Sequence, residues 1–374
     1  MNKKVIVGVI AIVIVVGLGW YFLSKKEKKE DTVKIGAILS LSGEYAEYGQ
    51  NVKKGMDLAL EKFHHNNPNI NVKIIYEDNK GNAKDALTAY KKIKIQSPFA
   101  IIDGAISTLT LSIVPEITKD KIVLLSTGAS NPSLSGISPY FFRVWNSDSE
   151  EGSFIAKKIY SKYGVGSINV LYINTDYGLG LLTAFKKEFV QLGGLIESEI
   201  AFNSTMIDFK DIISKIDFKK ANTCYLIGYA NQTALITKTI RTINKDCLIF
   251  STVATEADQF NALAGESANN VIYAYNAPTN SQEYQNFKQL YKEKYGTDPQ
   301  ILTDVAFDAL SLILEKVVGK EISSGEELRK FLSEMDEYLG ASGNIKFDIN
   351  GDVHKKMILK TIINNKFVAV ESDE

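Results

Sequence analysis

Lys34-Ile-Gly-Ala-Ile-Leu-Ser40 is a short apolar run with a polar end, and the residues around it decide the fold. Residues 49–64 set Val52, Met56, Ala59, Leu60 and Phe63 at helical spacing on one face, and residues 72–76 form a second short β-branched run. A strand, an amphipathic helix and a strand make one βαβ unit. The rhythm continues with a helix over 83–95, a strand over 99–102, a helix over 108–118 and a strand over 122–126. Strands that alternate with helices form a parallel sheet covered on both faces.

A loop rich in Gly, Ser, Asn and Pro (127–139) interrupts the series. A second series follows, with helices over 150–163, 179–192, 209–216 and 233–243 and strands over 168–173, 195–201, 223–227 and 248–250. Helical stretches at 282–295, 302–318 and 325–335, then strand-like runs at 344–348, 357–363 and 367–370, are too few for a third domain, so they complete the first two. The expected architecture is α/β: two doubly wound parallel-sheet lobes joined by a three-segment hinge, with crossovers near Val144-Trp145, Ala274-Tyr275 and Gly343-Asn344. One lobe then comprises 31–144 plus 275–343, and the other 145–274 plus 344–374. In open α/β sheets ligands bind beyond the carboxyl ends of strands, which directs attention to the loops there.

A chain of 374 residues accommodates two such units and an appendage. Six of the 43 basic residues precede Asp31, against two of the 44 acidic ones, which leaves the rest with a formal charge of −5. A mildly acidic body excludes a nucleic-acid binder. Residues 5–23 are an uncharged apolar run preceded by Lys3 and Lys4, long enough to span a bilayer. The one small-x-small site, Gly17-Leu-Gly19, would leave Trp20-Tyr-Phe-Leu23 at a mature N-terminus, so a retained transmembrane anchor is expected over a cleaved signal. Lysines 25, 26, 28 and 29 beyond the run oppose export under the positive-inside rule. Cys224 and Cys247 lie in apolar runs without metal-site spacing, so buried thiols are expected, with a disulfide as the alternative in an oxidising compartment.

Among the loops, Asp103-Gly-Ala-Ile-Ser-Thr108 opens a helix. Its hydroxyls suit either an ordinary cap or, together with backbone N–H groups, the binding of an anion such as a carboxylate. Ser126-Thr-Gly-Ala-Ser-Asn-Pro132 again offers small residues and hydroxyls. Asn174-Thr-Asp-Tyr-Gly-Leu-Gly180 is a weak dinucleotide-loop match without an acidic partner at the right distance. The sequence has no P-loop, zincin or nucleophile-elbow motif, and its three histidines form no metal pattern, so neither catalysis nor a cofactor is expected.

Ile35-Gly-Ala-Ile-Leu-Ser-Leu-Ser-Gly-Glu-Tyr-Ala-Glu-Tyr-Gly49, Gly55-Met-Asp-Leu-Ala59 and Ile74-Ile-Tyr-Glu-Asp78 together resemble the opening of the leucine/isoleucine/valine-binding protein family. Agreement recurs at residues 126–132, at Phe142-Arg143 with Asp148 and Gly152, at Asp176-Tyr-Gly178, at Ala264-Gly-Glu-Ser-Ala268, at Phe307-Asp-Ala309 and over residues 343–352. The resemblance implies a type I periplasmic-binding-protein fold that delivers a small polar solute, an amino acid in the family, to ABC transporter permease subunits at the extracytoplasmic face of the membrane. It also implies that Ser107, with Thr108, holds the ligand's carboxylate, that the Gly128 carbonyl meets its ammonium, and that Ser130, beside Ala129, contacts both groups. Tyr48 takes the aromatic position of the first loop. Tyr177 and Tyr229 close from the second lobe or serve as core aromatics. Where family members carry an acid opposite the ammonium this chain has Val253, leaving Glu256 as the candidate replacement. A ligand-sensing ectodomain is the second reading, and an α/β nucleotide-dependent enzyme the third.

Overall fold

The computed structural model describes residues 32–318, 322 and 324–370. The apolar run at 5–23 lies outside them, and among the described residues no helix is long and apolar enough to cross a membrane. The chain first lays down β1 (Val33–Leu39), α1 (Ala46–Asn66), β2 (Val72–Asp78), α2 (Ala83–Lys94), β3 (Ala100–Asp103), α3 (Ser107–Asp120), β4 (Leu124–Ser126) and β5 (Phe141–Arg143). It then builds α4 (Asp148–Lys157), β6 (Ser167–Ile173), α5 (Asp176–Gln191), β7 (Leu195–Phe202), α6 (Lys210–Ile213), β8 (Thr223–Ile227), α7 (Ala230–Ile243), β9 (Leu248–Ser251), α8 (Asp258–Ala264) and β10 (Ile272–Asn276). Helices α9 (Gln282–Tyr295), α10 (Thr303–Val318) and α11 (Gly325–Glu334) follow, then the ribbon β11 (Tyr338–Gly340) and β12 (Gly343–Ile345), and finally β13 (Met357–Ile363) and β14 (Lys366–Ala369).

The first sheet is parallel throughout, in the order β2-β1-β3-β4-β5. Its central strands β3 and β4 are buried on both faces, as helices on either side require. Helix α10 packs on α1 and so returns to this lobe after the chain has built the second. The second sheet runs β14-β13-β10-β9-β8-β6-β7 and departs from the all-parallel expectation. Strands β13 and β14 run antiparallel at its edge, because β13 enters from the hinge against the direction of β10. Asn364 and Asn365, at φ 50° and 62°, turn the chain between them. Two positive φ values in a two-residue loop match the twist of a tight hairpin. Cys224 and Cys247 are free and buried, with their sulfurs 3.6 Å apart.

The three crossovers lie side by side. The Asn146 amide donates to the Lys355 carbonyl at 2.7 Å and its oxygen accepts from the Lys355 N–H at 2.7 Å, while the Ala277 N–H donates to the Lys356 carbonyl at 2.7 Å. The third crossover therefore falls at 353–356, not at Gly343-Asn344. The intervening residues stay with the first lobe, where Phe347 packs edge-on against Phe142 at 5.1 Å and Asp352 meets Arg143.

Arg143, at the end of β5, is fully buried. Its Nε donates to Asp352 at 2.8 Å, one terminal nitrogen to the carbonyls of Asn131 (3.0 Å) and Ala129 (3.4 Å), and the other to the Ser135 hydroxyl at 2.7 Å. Removing one partner of such a buried pair strands the other charge, at a cost of roughly 3–5 kcal/mol. Arg143→Leu is expected to lower unfolding stability by that amount in denaturant titration, whereas Lys92→Leu, which breaks the exposed pair with Glu77, changes it by less than about 1 kcal/mol.

Candidate functional site

Strand ends of both sheets face each other across the cleft, and the loops after them form its walls. In the first lobe, β3 leads to the start of α3. Ile106 there is extended and no side chain caps the helix, while the buried Thr108 hydroxyl has no partner among the described residues. Ser107 acts neither as the cap nor as an open ligand contact. Its fully buried hydroxyl accepts the N–H groups of Ser130 (3.2 Å) and Asn131 (3.1 Å), tying the two loops together.

Between the lobes lies a cavity of about 40 Å³, walled by Tyr48, Gly128 and Ser130 from one lobe and by Tyr177, Tyr229 and Val253 from the other. These include five of the nine residues singled out in the sequence. A side chain at Gly128 would meet the Ala105 Cβ at 2.8 Å and Leu302 Cδ2 at 3.0 Å, so glycine keeps this wall open. Ala129 turns its carbonyl to Arg143 and its N–H to the Ser126 hydroxyl, away from the cavity.

Sequence reasoning did not find Trp145, Ala105, Ala254, Ile301 or Leu302, which complete the wall. Leu302 stands at φ 70°, a conformation unusual for a branched side chain and one that ends the approach to α10 a residue later than the apolar pattern suggests.

Glu256 does not face this cavity. Its carboxylate is engaged by Lys360 and by the Tyr273 hydroxyl, and it belongs to the wall of a neighbouring chamber. Val253–Glu256 is a 3₁₀ turn, in which residues three apart stack in one row. Val253 therefore meets the cavity while Glu256, one rung along, meets the next space.

The cleft is shut by contacts between the lobes. The Ala230 N–H at the start of α7 donates to the Tyr48 hydroxyl at 3.2 Å, the Gln259 N–H to Glu47 at 3.3 Å, and the Asn131 amide to the Asp176 carbonyl. Tyr229 packs against Tyr45 at 4.7 Å and Tyr177 at 5.0 Å. The weak dinucleotide match is explained by packing. Thr175 caps α5 through the Gly178 N–H, and a Cβ on Gly180 would sit 2.6 Å from the Asn131 amide of the opposite lobe.

Behind the tyrosines lie two buried acids. Asp148 and Glu151 stand in the first turn of α4, and Glu151 accepts the Val253 N–H at 3.1 Å. Burial pushes the Asp148 carboxyl up to about 7, with Ser130 and Arg143 pulling the other way, and burial and Asp148 together raise Glu151. Burial also raises the surrounding hydroxyls of Tyr177, Tyr225 and Tyr229.

No group of three or more metal-ligating side chains occurs among the described residues. The profile of a family described as periplasmic binding protein matches residues 32–363. A leucine-, isoleucine-, valine-, threonine- and alanine-binding protein of Pseudomonas aeruginosa is 22% identical over 86% of this chain and 87% of its own. Among solved structures, a leucine-binding protein of Thermotoga maritima superposes with TM-score 0.85 at 24% identity, covering 91% of this chain and 98% of that one. A branched-chain amino acid transporter substrate-binding protein of Streptococcus pneumoniae, in complex with isoleucine, gives 0.84 at 23% identity over 91% and 99%.

The Asp148 proton generates a test of this geometry. Folded chains hold it up to about pH 7 and unfolded chains only to the ordinary value of 3.8, so between these values the native state binds more protons and stability falls as pH rises. The melting temperature is expected to drop between about pH 5 and about pH 8. Asp148→Asn should reduce that drop, to which the buried carboxyls of Glu151, Asp103 and Asp308, raised by burial, also contribute, and raise the value at the upper pH; a variant that follows the wild-type curve would remove Asp148 as a source.

Proposed function

The chain belongs to the periplasmic binding protein family, in the type I branch that contains the leucine/isoleucine/valine-binding proteins, and we propose that it captures a small carboxylate-bearing solute, an amino acid in the first instance, for an ABC transporter. Family members of this kind are binding proteins, not enzymes. The observation that carries the proposal is the cavity enclosed between the two lobes, with the Ser130 hydroxyl, Gly128 and Ala105, two residues before α3, on one side and the rings of Tyr177 and Tyr229 on the other. The start of α3 offers a partial positive charge to a carboxylate without any lysine or arginine in the wall. Ser130 adds a hydroxyl donor, and Tyr48, Tyr177 and Tyr229 exclude water when the lobes close. Residues 5–23 would carry the chain to the extracytoplasmic face and hold it there, and permease subunits would receive the loaded, closed form.

Val253 in the cavity and Glu256 turned to Lys360 favour a second reading, in which the solute is a carboxylate without an α-ammonium group. A calorimetric screen of amino acids against their des-amino analogues separates the two. A charge-assisted hydrogen bond is worth about 1.5–3 kcal/mol, so Ser130→Ala is expected to weaken binding of either class by roughly tenfold to a hundredfold. Glu256→Gln should leave affinity within about twofold, because its partner is Lys360. Full affinity in Ser130→Ala, with the fold intact, would move the carboxylate elsewhere.

The N-terminal proposal has its own test. The protein should sediment with membranes and keep its residues 5–23 on N-terminal sequencing; a soluble protein starting beyond Leu23 would replace the anchor with a cleaved signal.

A further inference from the structure

Beside the main cavity lies a chamber of about 120 Å³ at the hinge, with Trp145 and Ile301 belonging to the walls of both. All three crossovers contribute to it, through Trp145, Asn276 and Lys355. Its ionisable groups balance one another. Lys360 is paired with Glu256, and the Lys355 ammonium donates to the Ser342 carbonyl (3.0 Å) and hydroxyl (2.7 Å), with Asp304 close enough to act on its charge. Asp304 accepts the Val305 N–H at 2.8 Å.

Asn276 is different. It ends β10, is 9% exposed, and neither its amide nitrogen nor its amide oxygen has a hydrogen-bond partner among the described residues. Of the side chains lining the chamber it is the one with buried polar atoms left in this state. A buried amide without partners destabilises the fold, and an apolar residue of similar size would avoid that cost. The amide offers a donor and an acceptor side by side and carries no charge.

Resting on the reading of the main cavity as the carboxylate site, we propose that the chamber is a second compartment of the same ligand site. It receives an uncharged, two-way hydrogen-bonding end of the ligand, and a primary carboxamide is the group that fits. A carboxamide pairs reciprocally with Asn276, its N–H₂ donating to Oδ1 and its oxygen accepting from Nδ2. An ammonium or carboxylate end would find the chamber's charges already matched, and a hydrocarbon end would leave the Asn276 amide unpaired. The ligand then runs from the α3 start, past Trp145 and Ile301, to the end of β10.

Calorimetry with L-glutamine, glutaramic acid, L-norleucine and L-leucine tests this on the full chain. At least one carboxamide is expected to bind about tenfold or more tighter than norleucine, since a site built for a hydrogen bond rejects the analogue lacking it. Asn276→Leu should abolish that preference while leaving leucine affinity within about threefold. Ala277→Leu, which narrows the chamber from an adjacent position, should cost carboxamide affinity and spare leucine; it decides the matter if Asn276→Leu does not fold. Leucine binding without a carboxamide preference, or a preference unchanged in both variants, overturns the second compartment and leaves the carboxylate site standing. Failure of all four compounds to bind overturns both.

Discussion

The site depends first on the buried guanidinium of Arg143. A cation without access to water must be surrounded by acceptors, and here they come from Asp352, from the carbonyls of Ala129 and Asn131, and from Ser135. Turning those carbonyls inward fixes the 129–135 loop from behind. Its N–H groups at Ser130 and Asn131 consequently face the Ser107 hydroxyl, which joins the loop to the start of α3. The same guanidinium holds Asp352, and so keeps the chain on the first lobe until just before its third crossing. One side chain thus sets both the floor of the cleft and the edge of the hinge.

Closure draws on a different kind of interaction. Tyr48 satisfies a backbone donor at the start of α7, one of the groups every helix leaves open, and does so from the opposite lobe. Around it the rings of Tyr45, Tyr177 and Tyr229 meet at tilted angles, an arrangement that buries large apolar area with few rotatable bonds. These contacts are modest singly.

Periodicity in the sequence was enough for most strands of the two sheets, since buried parallel strands and amphipathic helices each leave a local pattern, but it found neither β5 nor β10, and it missed the antiparallel edge of the second sheet. Family resemblance found Tyr48, Gly128, Ser130, Tyr177 and Tyr229, all in the cavity wall. The misreadings have a common cause in contacts between distant residues. Ser107 looked like a helix cap or an anion contact because its partners, Ser130 and Asn131, come from another loop. Glu256 looked available because Lys360 lies 104 residues away. The third crossover was misplaced because nothing local to Asp352 announces Arg143. Leu302 gives no signal at all: a leucine before a helix reads as its first turn, and only the packed structure holds it at positive φ.

Charge in the cleft is managed by distance and protonation. Val253 presents a methyl surface where an acid would attract a cation, and its N–H is taken by Glu151. Asp148 and Glu151 are near the cavity, yet they sit behind Ser130 and the tyrosines with their carboxyls raised towards neutrality. A proton kept on such a pair near pH 7 leaves hydrogen-bonding groups without the full negative field of two carboxylates. The walls of the cavity are then a serine hydroxyl, aromatic rings and small or apolar side chains. Such walls present shape and fixed dipoles, with no lysine, arginine or carboxylate among them.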